Sequence, residues 1–201
     1  NLWTNERVEA FLKAVPQNKL LLLDYYCENT EVWKQTERYF GQPYLWCYLG
    51  NFGGNTMLAG NTKEVGERIE NVYTNGGENF SGLGSTLEGF DANPFMYEYV
   101  FSKAWTSNLS DSTWIDRLAD RRIGLKNQQV HRAWKLLYDS VYTSPATLGQ
   151  GTLINARPCL EGNGNWTTTP TIAYSNETLF EVWEILLKAG EHRHSAFEYD
   201  V

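Results

Sequence analysis

The chain has 201 residues, 42% of them hydrophobic and 20% charged, with a formal net charge of −7. That length supports one large or two small domains with a substantial core, and the acidic balance argues against a nucleic-acid partner, whose binding rests on Lys and Arg neutralising phosphates. The longest apolar run, Leu20-Leu21-Leu22-Leu23, is strand-sized and well short of the roughly 18 residues that cross a bilayer, so no membrane partner is expected either.

The first half alternates helix and strand. Thr4 is placed to cap a helix whose apolar residues Val8, Phe11, Leu12 and Val15 share one face, with Pro16 as its stop. The run from Lys19 to Tyr26 reads as a strand buried on both faces. A helix carrying Trp33, Tyr39 and Phe40 follows and closes at Gly41. A second strand, Tyr44 to Leu49, runs into the loop Gly50-Asn51-Phe52-Gly53-Gly54-Asn55. Asn61 and Glu64 have capping-box spacing ahead of a helix on Val65, Ile69 and Val72. A third strand is expected at Phe80 to Ser85, and Asn93-Pro94 opens a helix through Tyr97, Val100, Phe101 and Ala104.

The second half is helical. Ser110 or Ser112 caps a helix with Trp114, Ile115 and Leu118 that ends at Gly124. Val130, Ala133, Trp134, Leu137, Tyr138 and Val141 line a second helix, and Leu179, Phe180, Trp183, Leu186 and Leu187 a third, ending near Gly190. A Gly/Thr/Asn/Pro-rich stretch separates these last two, from about Ser144 to Ser175. The expected class is α/β followed by all-α, with residues 1–107 and 108–201 as the two domains.

Short connections between alternating strands and helices imply parallel pairing and right-handed crossovers. Three βα units are too few to close an eight-stranded barrel, which takes about 250 residues. The alternatives are a small open sheet or part of a barrel whose other strands lie elsewhere. An unpaired parallel edge is a liability, and the chain begins at Asn1 without a signal-peptide pattern. It therefore reads as a piece of something longer.

Most candidate chemistry is weak. The glycine-rich segments do not complete a dinucleotide or phosphate-loop pattern. Cys27, Cys47 and Cys159 are an odd, widely spaced set, which suggests neither a disulfide framework nor zinc. His131, His192 and His194 match no metal motif. Sequons at Asn79, Asn108, Asn165 and Asn176 permit a secreted context without establishing one. Arg117, Arg121, Arg122 and Lys126 form a basic cluster best explained by ion pairs. Aromatic residues reach 14%; they fill cores first, and their flat faces also stack on sugars. Carboxylates remain. Asp24 and Glu28 end the first strand, and Glu88 follows the third in Ser85-Thr86-Leu87-Glu88-Gly89. A carboxylate at the C-terminal end of a parallel strand is placed for acid/base or nucleophilic work, and a pair beside aromatics suits glycoside hydrolysis. A solvated loop acid is an equally good reading from position alone.

At these residues the sequence resembles the α-N-acetylglucosaminidases of glycoside hydrolase family 89, which include a lysosomal enzyme of heparan sulfate breakdown and bacterial relatives. The likeness is carried by Gly41 through Asn55, above all Tyr44-Leu45-Trp46-Cys47-Tyr48-Leu49-Gly50-Asn51-Phe52-Gly53-Gly54-Asn55. Gly82-Leu83-Gly84 through Leu87-Glu88-Gly89, Arg121-Arg122, Ala133 to Leu137 and Phe180 to Trp183 extend it over nearly the whole chain. The resemblance implies a retaining exo-hydrolase of terminal α-linked N-acetylglucosamine, on glycans such as heparan sulfate, without metal or organic cofactor. Glu88 matches the nucleophile. Trp46 and Asn51 match expected sugar contacts, and Glu28 matches a family acid expected near substrate. The family's acid/base Glu would lie upstream of Asn1, making the missing N-terminal part of the protein a required partner and the chain alone inactive. The strands would be roughly the fifth to seventh of a (β/α)8 barrel, followed by the start of a helical domain. A His in the family is replaced by Gly50. The implied compartment is secreted or periplasmic in a bacterium and lysosomal in an animal. Rival readings are a non-catalytic carbohydrate-binding module, a self-contained Glu28/Glu88 pair, and a helical docking module with an exposed stripe on Trp114 or Trp134.

Overall fold

The computed structural model describes residues 3–50, 58–89, 93–105, 109–145 and 172–190. The chain divides into two compact units, Asn1–Thr56 with Lys63–Ser107, and Met57–Thr62 with Asn108–Val201.

The first unit is built on a parallel sheet of order β1-β2-β3, with β1 at Leu22–Asp24, β2 at Tyr44–Tyr48 and β3 at Phe80–Ser85. It also holds helices α1 (Asn5–Lys13), α2 (Val32–Gln35), α3 (Thr62–Asn75) and α4 (Pro94–Trp105). Leu22 pairs with Tyr44, and Asp24 with Trp46. Between β2 and β3 the register slips at Tyr44/Leu45, so Leu45 meets Gly82, Trp46 meets Leu83 and Cys47 meets Gly84. Gly84 is where the strands need a missing side chain, because a Cβ there would sit 2.9 Å from the Cys47 Sγ.

Side chains alternate across a strand, and here the two faces differ sharply. Asp24, Tyr44, Trp46 and Tyr48 are buried. Trp33, Tyr39 and Phe80 pack around Tyr44 with ring centroids 5.3–6.3 Å away, and the Tyr44 hydroxyl donates to the Gly76 carbonyl at 3.0 Å. Much of this unit's aromatic content is thus core. On the other face Leu21 and Leu23 are more than half exposed and Tyr25 is exposed as well. Among the described residues the apolar run at β1 is therefore buried on one face only, and β1 is the edge strand of the sheet.

Two further expectations change. The helix carrying Trp33, Tyr39 and Phe40 is only the single turn α2, because Glu37, Arg38, Tyr39 and Phe40 all take positive φ. That left-handed turn, costly for L-residues, is held from outside. The Asn79 side chain donates to the carbonyls of Arg38 and Gln42 at 2.7 Å each, and the Arg38 Nε donates to the Asn75 carbonyl at 2.8 Å. In α4 the expected Val100 is buried, but its buried companions are Phe95, Met96 and Tyr99 rather than Tyr97, Phe101 and Ala104. Asn93 accepts from the Met96 amide at 3.4 Å, as an N-cap should.

The second unit packs α5 (Asp111–Ile123), α6 (Gln128–Leu137) and α7 (Asn176–Gly190). Ser110 caps α5 by accepting from the Thr113 amide, and Gly124 at φ 72° ends it. Asn127 caps α6, which runs on into a π-helical turn at Tyr138–Tyr142. Ala119, Ile123, Val130, Ala133, Val182 and Leu186 form the core. Ala59 joins the second unit by packing with Val141 and Tyr174, and the Asn61 amide donates to the Ser144 carbonyl at 3.0 Å. Trp114 is buried and Trp134 is packed against the core, so neither presents an exposed stripe. The exposed apolar residues of α7 are Phe180, Trp183 and Leu187.

Candidate active site

Because the strands are parallel, their C-terminal ends share one edge of the sheet. That edge carries Tyr25 and Glu28 after β1, Leu49 and Gly50 after β2, and Thr86 and Glu88 after β3. Thr86 binds both neighbouring strands. Its amide donates to the Tyr48 carbonyl at 3.1 Å, and its hydroxyl reaches over β2 to the Tyr25 carbonyl at 2.5 Å. The Tyr25 hydroxyl in turn donates to the carboxylate of Glu88. Glu88 is exposed. The Glu88 carboxylate pushes the Tyr25 phenol up to about 12, with the charge of Glu28 adding to it. Tyr25 therefore keeps its proton at neutral pH and serves as a standing donor. Sequence reasoning missed Tyr25 and Thr86, although Tyr25 falls in the alternation that also exposes Leu21 and Leu23.

Glu28 lies on the same edge in a different environment. Its carboxylate accepts from the Leu49 amide at 3.0 and 3.1 Å and from the Gly50 amide at 2.6 Å. Burial pushes its carboxyl up to about 7, against the lowering effect of those amides and of Arg68. Gly50 has φ +82°, in the region that favours glycine. The Leu49 carbonyl accepts from the Tyr97 hydroxyl at 2.5 Å. Glu28 thus grips the turn after β2, while Glu88 accepts from Tyr25.

Trp46, expected as a sugar contact, lies on the buried face and is fully enclosed. Its indole N–H donates to Glu31 Oε1 at 3.2 Å, and that oxygen also accepts from the Trp33 indole at 3.0 Å. Among the described residues this ring packs in the core and holds Glu31. Lys34 and Arg68 pair with Glu31 from the outside, in an open cleft of about 480 Å³ that Glu64 and Glu67 also line. Asp24 serves structure too, accepting from the Trp33 amide at 2.9 Å and the Val32 amide at 3.3 Å to close the start of α2. Desolvation raises its carboxyl pKa.

Asn51, with the loop residues after it, lies outside the described residues, as do Cys159, His192, His194 and the sequons at Asn108 and Asn165. Among the described residues no group of three or more His, Cys, Asp or Glu could hold a metal ion, and no helix is long and apolar enough to cross a membrane. His131 pairs with Asp120 at 2.5 Å, joining α6 to α5.

Comparison with known proteins bears on the whole chain. Residues 1–107 match the family model of the alpha-N-acetylglucosaminidase (NAGLU) TIM-barrel domain, and residues 114–201 match that of the NAGLU C-terminal domain. A human alpha-N-acetylglucosaminidase is 31% identical over 99% of this chain and 27% of its own length. A family 89 glycoside hydrolase from Clostridium perfringens, solved in complex with PUGNAc, superposes with a TM-score of 0.78 at 27% identity. The match covers 98% of this chain and 23% of that one. A variant of the Clostridium perfringens enzyme with two Glu→Gln substitutions, in complex with its substrate GlcNAc-α-1,4-galactose, gives 0.76 at 27% identity over 92% and 22%. The chain spans about a quarter of the length of these relatives.

Proposed function

Given that the chain belongs to the α-N-acetylglucosaminidase family, glycoside hydrolase family 89, we propose that it is the C-terminal part of a retaining exo-glycosidase acting on terminal α-linked N-acetylglucosamine. Residues 1–107 supply late βα units of the (β/α)8 barrel, and residues 108–201 begin the helical domain. Glu88 is the nucleophile. One observation carries this assignment: an exposed carboxylate stands at the C-terminal end of a parallel strand, where barrel enzymes keep their chemistry, with a hydroxyl donor on it.

In this mechanism the Glu88 carboxylate attacks the anomeric carbon as a glutamate from an earlier strand, outside this chain, protonates the leaving oxygen. The two carboxyls of a retaining pair stand about 5–5.5 Å apart. The glycosyl-enzyme ester is then hydrolysed by water that the second glutamate deprotonates. Tyr25 holds the Glu88 oxygen and keeps its charge available for attack. The Clostridium perfringens complex supports the reading, because two glutamates are replaced by glutamine in the form that holds substrate.

The test is hydrolysis of an aryl α-N-acetylglucosaminide by this chain alone and by the complete polypeptide, each as wild type and Glu88→Gln. Turnover is expected only from the wild-type complete polypeptide. Turnover by the chain alone would remove the need for an upstream acid, and an active Glu88→Gln polypeptide would remove the nucleophile.

A further inference from the structure

We propose that Glu28 is a positioning residue, which sets the turn leaving β2 by gripping the amides of Leu49 and Gly50 and acts on substrate through that turn rather than by touching it. The inference rests on the reading of this edge as an active site. The peptide at Leu49 is held at both ends. Its amide, with that of Gly50, donates to Glu28 at 2.6–3.1 Å, and its carbonyl accepts from Tyr97 of α4 at 2.5 Å. Gly50, at φ +82°, is where the chain leaves the strand. A Cβ at Gly50 would lie 3.2 Å from the Tyr97 hydroxyl and 3.3 Å from the Tyr48 ring. The exit direction is therefore set by one carboxylate, one phenol and one missing side chain.

The grip depends on charge. Oε1 accepts from both amides and Oε2 from that of Leu49, so a proton on Oε2 turns a donor toward a donor and loosens the hold. Facing Glu28 are Arg68 of α3, Cys47 and Tyr48 of β2, Tyr97 of α4, and Tyr25 and Tyr26 of its own segment. Arg68 is the cation among these, and burial outweighs it, which brings the carboxyl up to about 7. The turn is accordingly held tightly above neutrality and loosely below it. Glu28→Gln fixes the loose state, because its Nε2 presents hydrogens where Oε2 accepted.

Carbonyl-labelled leucine combined with nitrogen-labelled glycine marks only Leu–Gly links, which in this sequence are Leu49–Gly50, Leu83–Gly84 and Leu148–Gly149. In the full 201-residue chain the Gly50 amide signal should move downfield as pH rises through about 7. In Glu28→Gln it should stay at its acid position, with the Gly84 signal unmoved as a check on the sheet. In the complete polypeptide, kcat/KM of Glu28→Gln should fall about ten-fold at alkaline pH and approach wild type under acid conditions. A Gly50 signal that does not titrate, or that titrates alike in Glu28→Gln, overturns the proposal, and so does an unchanged kcat/KM profile. Glu88→Gln should keep the Gly50 titration. If Glu88→Gln stays active while Gly50 still titrates, the nucleophile assignment falls and the grip of Glu28 on the turn stands.

Discussion

The two faces of the β1–β2–β3 sheet are made from the same strands and do opposite work. On the covered face polar groups serve structure: Asp24 closes α2, Glu31 joins two indoles, and Tyr44 sits among aromatic rings. On the open face Leu21, Leu23 and Tyr25 are exposed, and the polar groups at its upper edge converge on Glu88 and on the turn at Gly50. Alternation along β1 sends Asp24 into the core and Tyr25 to the edge, one residue apart. In this molecule burial, more than residue type, separates a structural carboxylate from a candidate catalytic one.

The contrast is sharpest when one residue from each face is removed. Glu88→Gln should cost the complete polypeptide roughly 10⁴-fold or more in kcat while leaving its thermal midpoint within a degree or two, as checked by steady-state kinetics beside calorimetry. Trp46→Ala should do the reverse. It deletes a fully buried ring and orphans one acceptor site on Glu31, which should lower denaturant stability by about 3–5 kcal/mol. A Trp46→Ala protein that folds normally but fails to bind sugar would place Trp46 on the substrate side.

The edge carboxylate Glu28 should make the fold pH-dependent. Its carboxyl is raised from 4.5 to about 7, so the folded chain binds this proton more tightly than the unfolded chain does. Stability should therefore be greatest in acid and fall as pH rises through that window, by on the order of 3 kcal/mol. Glu28→Gln should flatten the slope in urea titrations, and an unchanged slope would mean that Glu28 is solvated. Tyr25→Phe comes next. Losing the donor on Glu88 should cost about ten-fold in kcat/KM and shift the acid limb of the profile to higher pH, since a carboxylate without its donor takes a proton more readily. Smallest of all, Leu23→Ser should change the stability of the 201-residue chain by less than about 0.5 kcal/mol, because the side chain is already exposed. The same change in the complete polypeptide should cost more if further strands cover this face.

The order of the strands, most helix positions and the location of Glu88 were legible because periodicity and strand ends are local signals. Val65, Ile69 and Val72 mark α3 as expected, and β3 spans Phe80–Ser85 as its pattern implied. What failed was non-local. The left-handed residues Glu37–Phe40 carry no glycine to announce them and depend on Asn79 and Asn75 forty residues away in sequence. The exposed face of β1 could not be inferred from four consecutive leucines, since a run records hydrophobicity and not what covers it. Trp46 was assigned to substrate because its strand carries the family likeness. Alternation puts it with Tyr44 and Tyr48 on one face of β2, and what covers that face, Trp33 and Glu31 among it, comes from another segment of the chain. Glu28 was visible as a strand-end acid, while its partners, two backbone amides of another strand, have no sequence signature.

The most direct test of the assignment of Glu88 is to trap the glycosyl-enzyme. The complete polypeptide would be incubated with a mechanism-based fluorinated N-acetylglucosaminide analogue, digested, and the labelled peptide sequenced by mass spectrometry. The account predicts one sugar per chain, carried as an ester on Glu88 and lost when an acceptor is added. A label on any other residue, or turnover that inverts the anomeric configuration with no adduct, would contradict it.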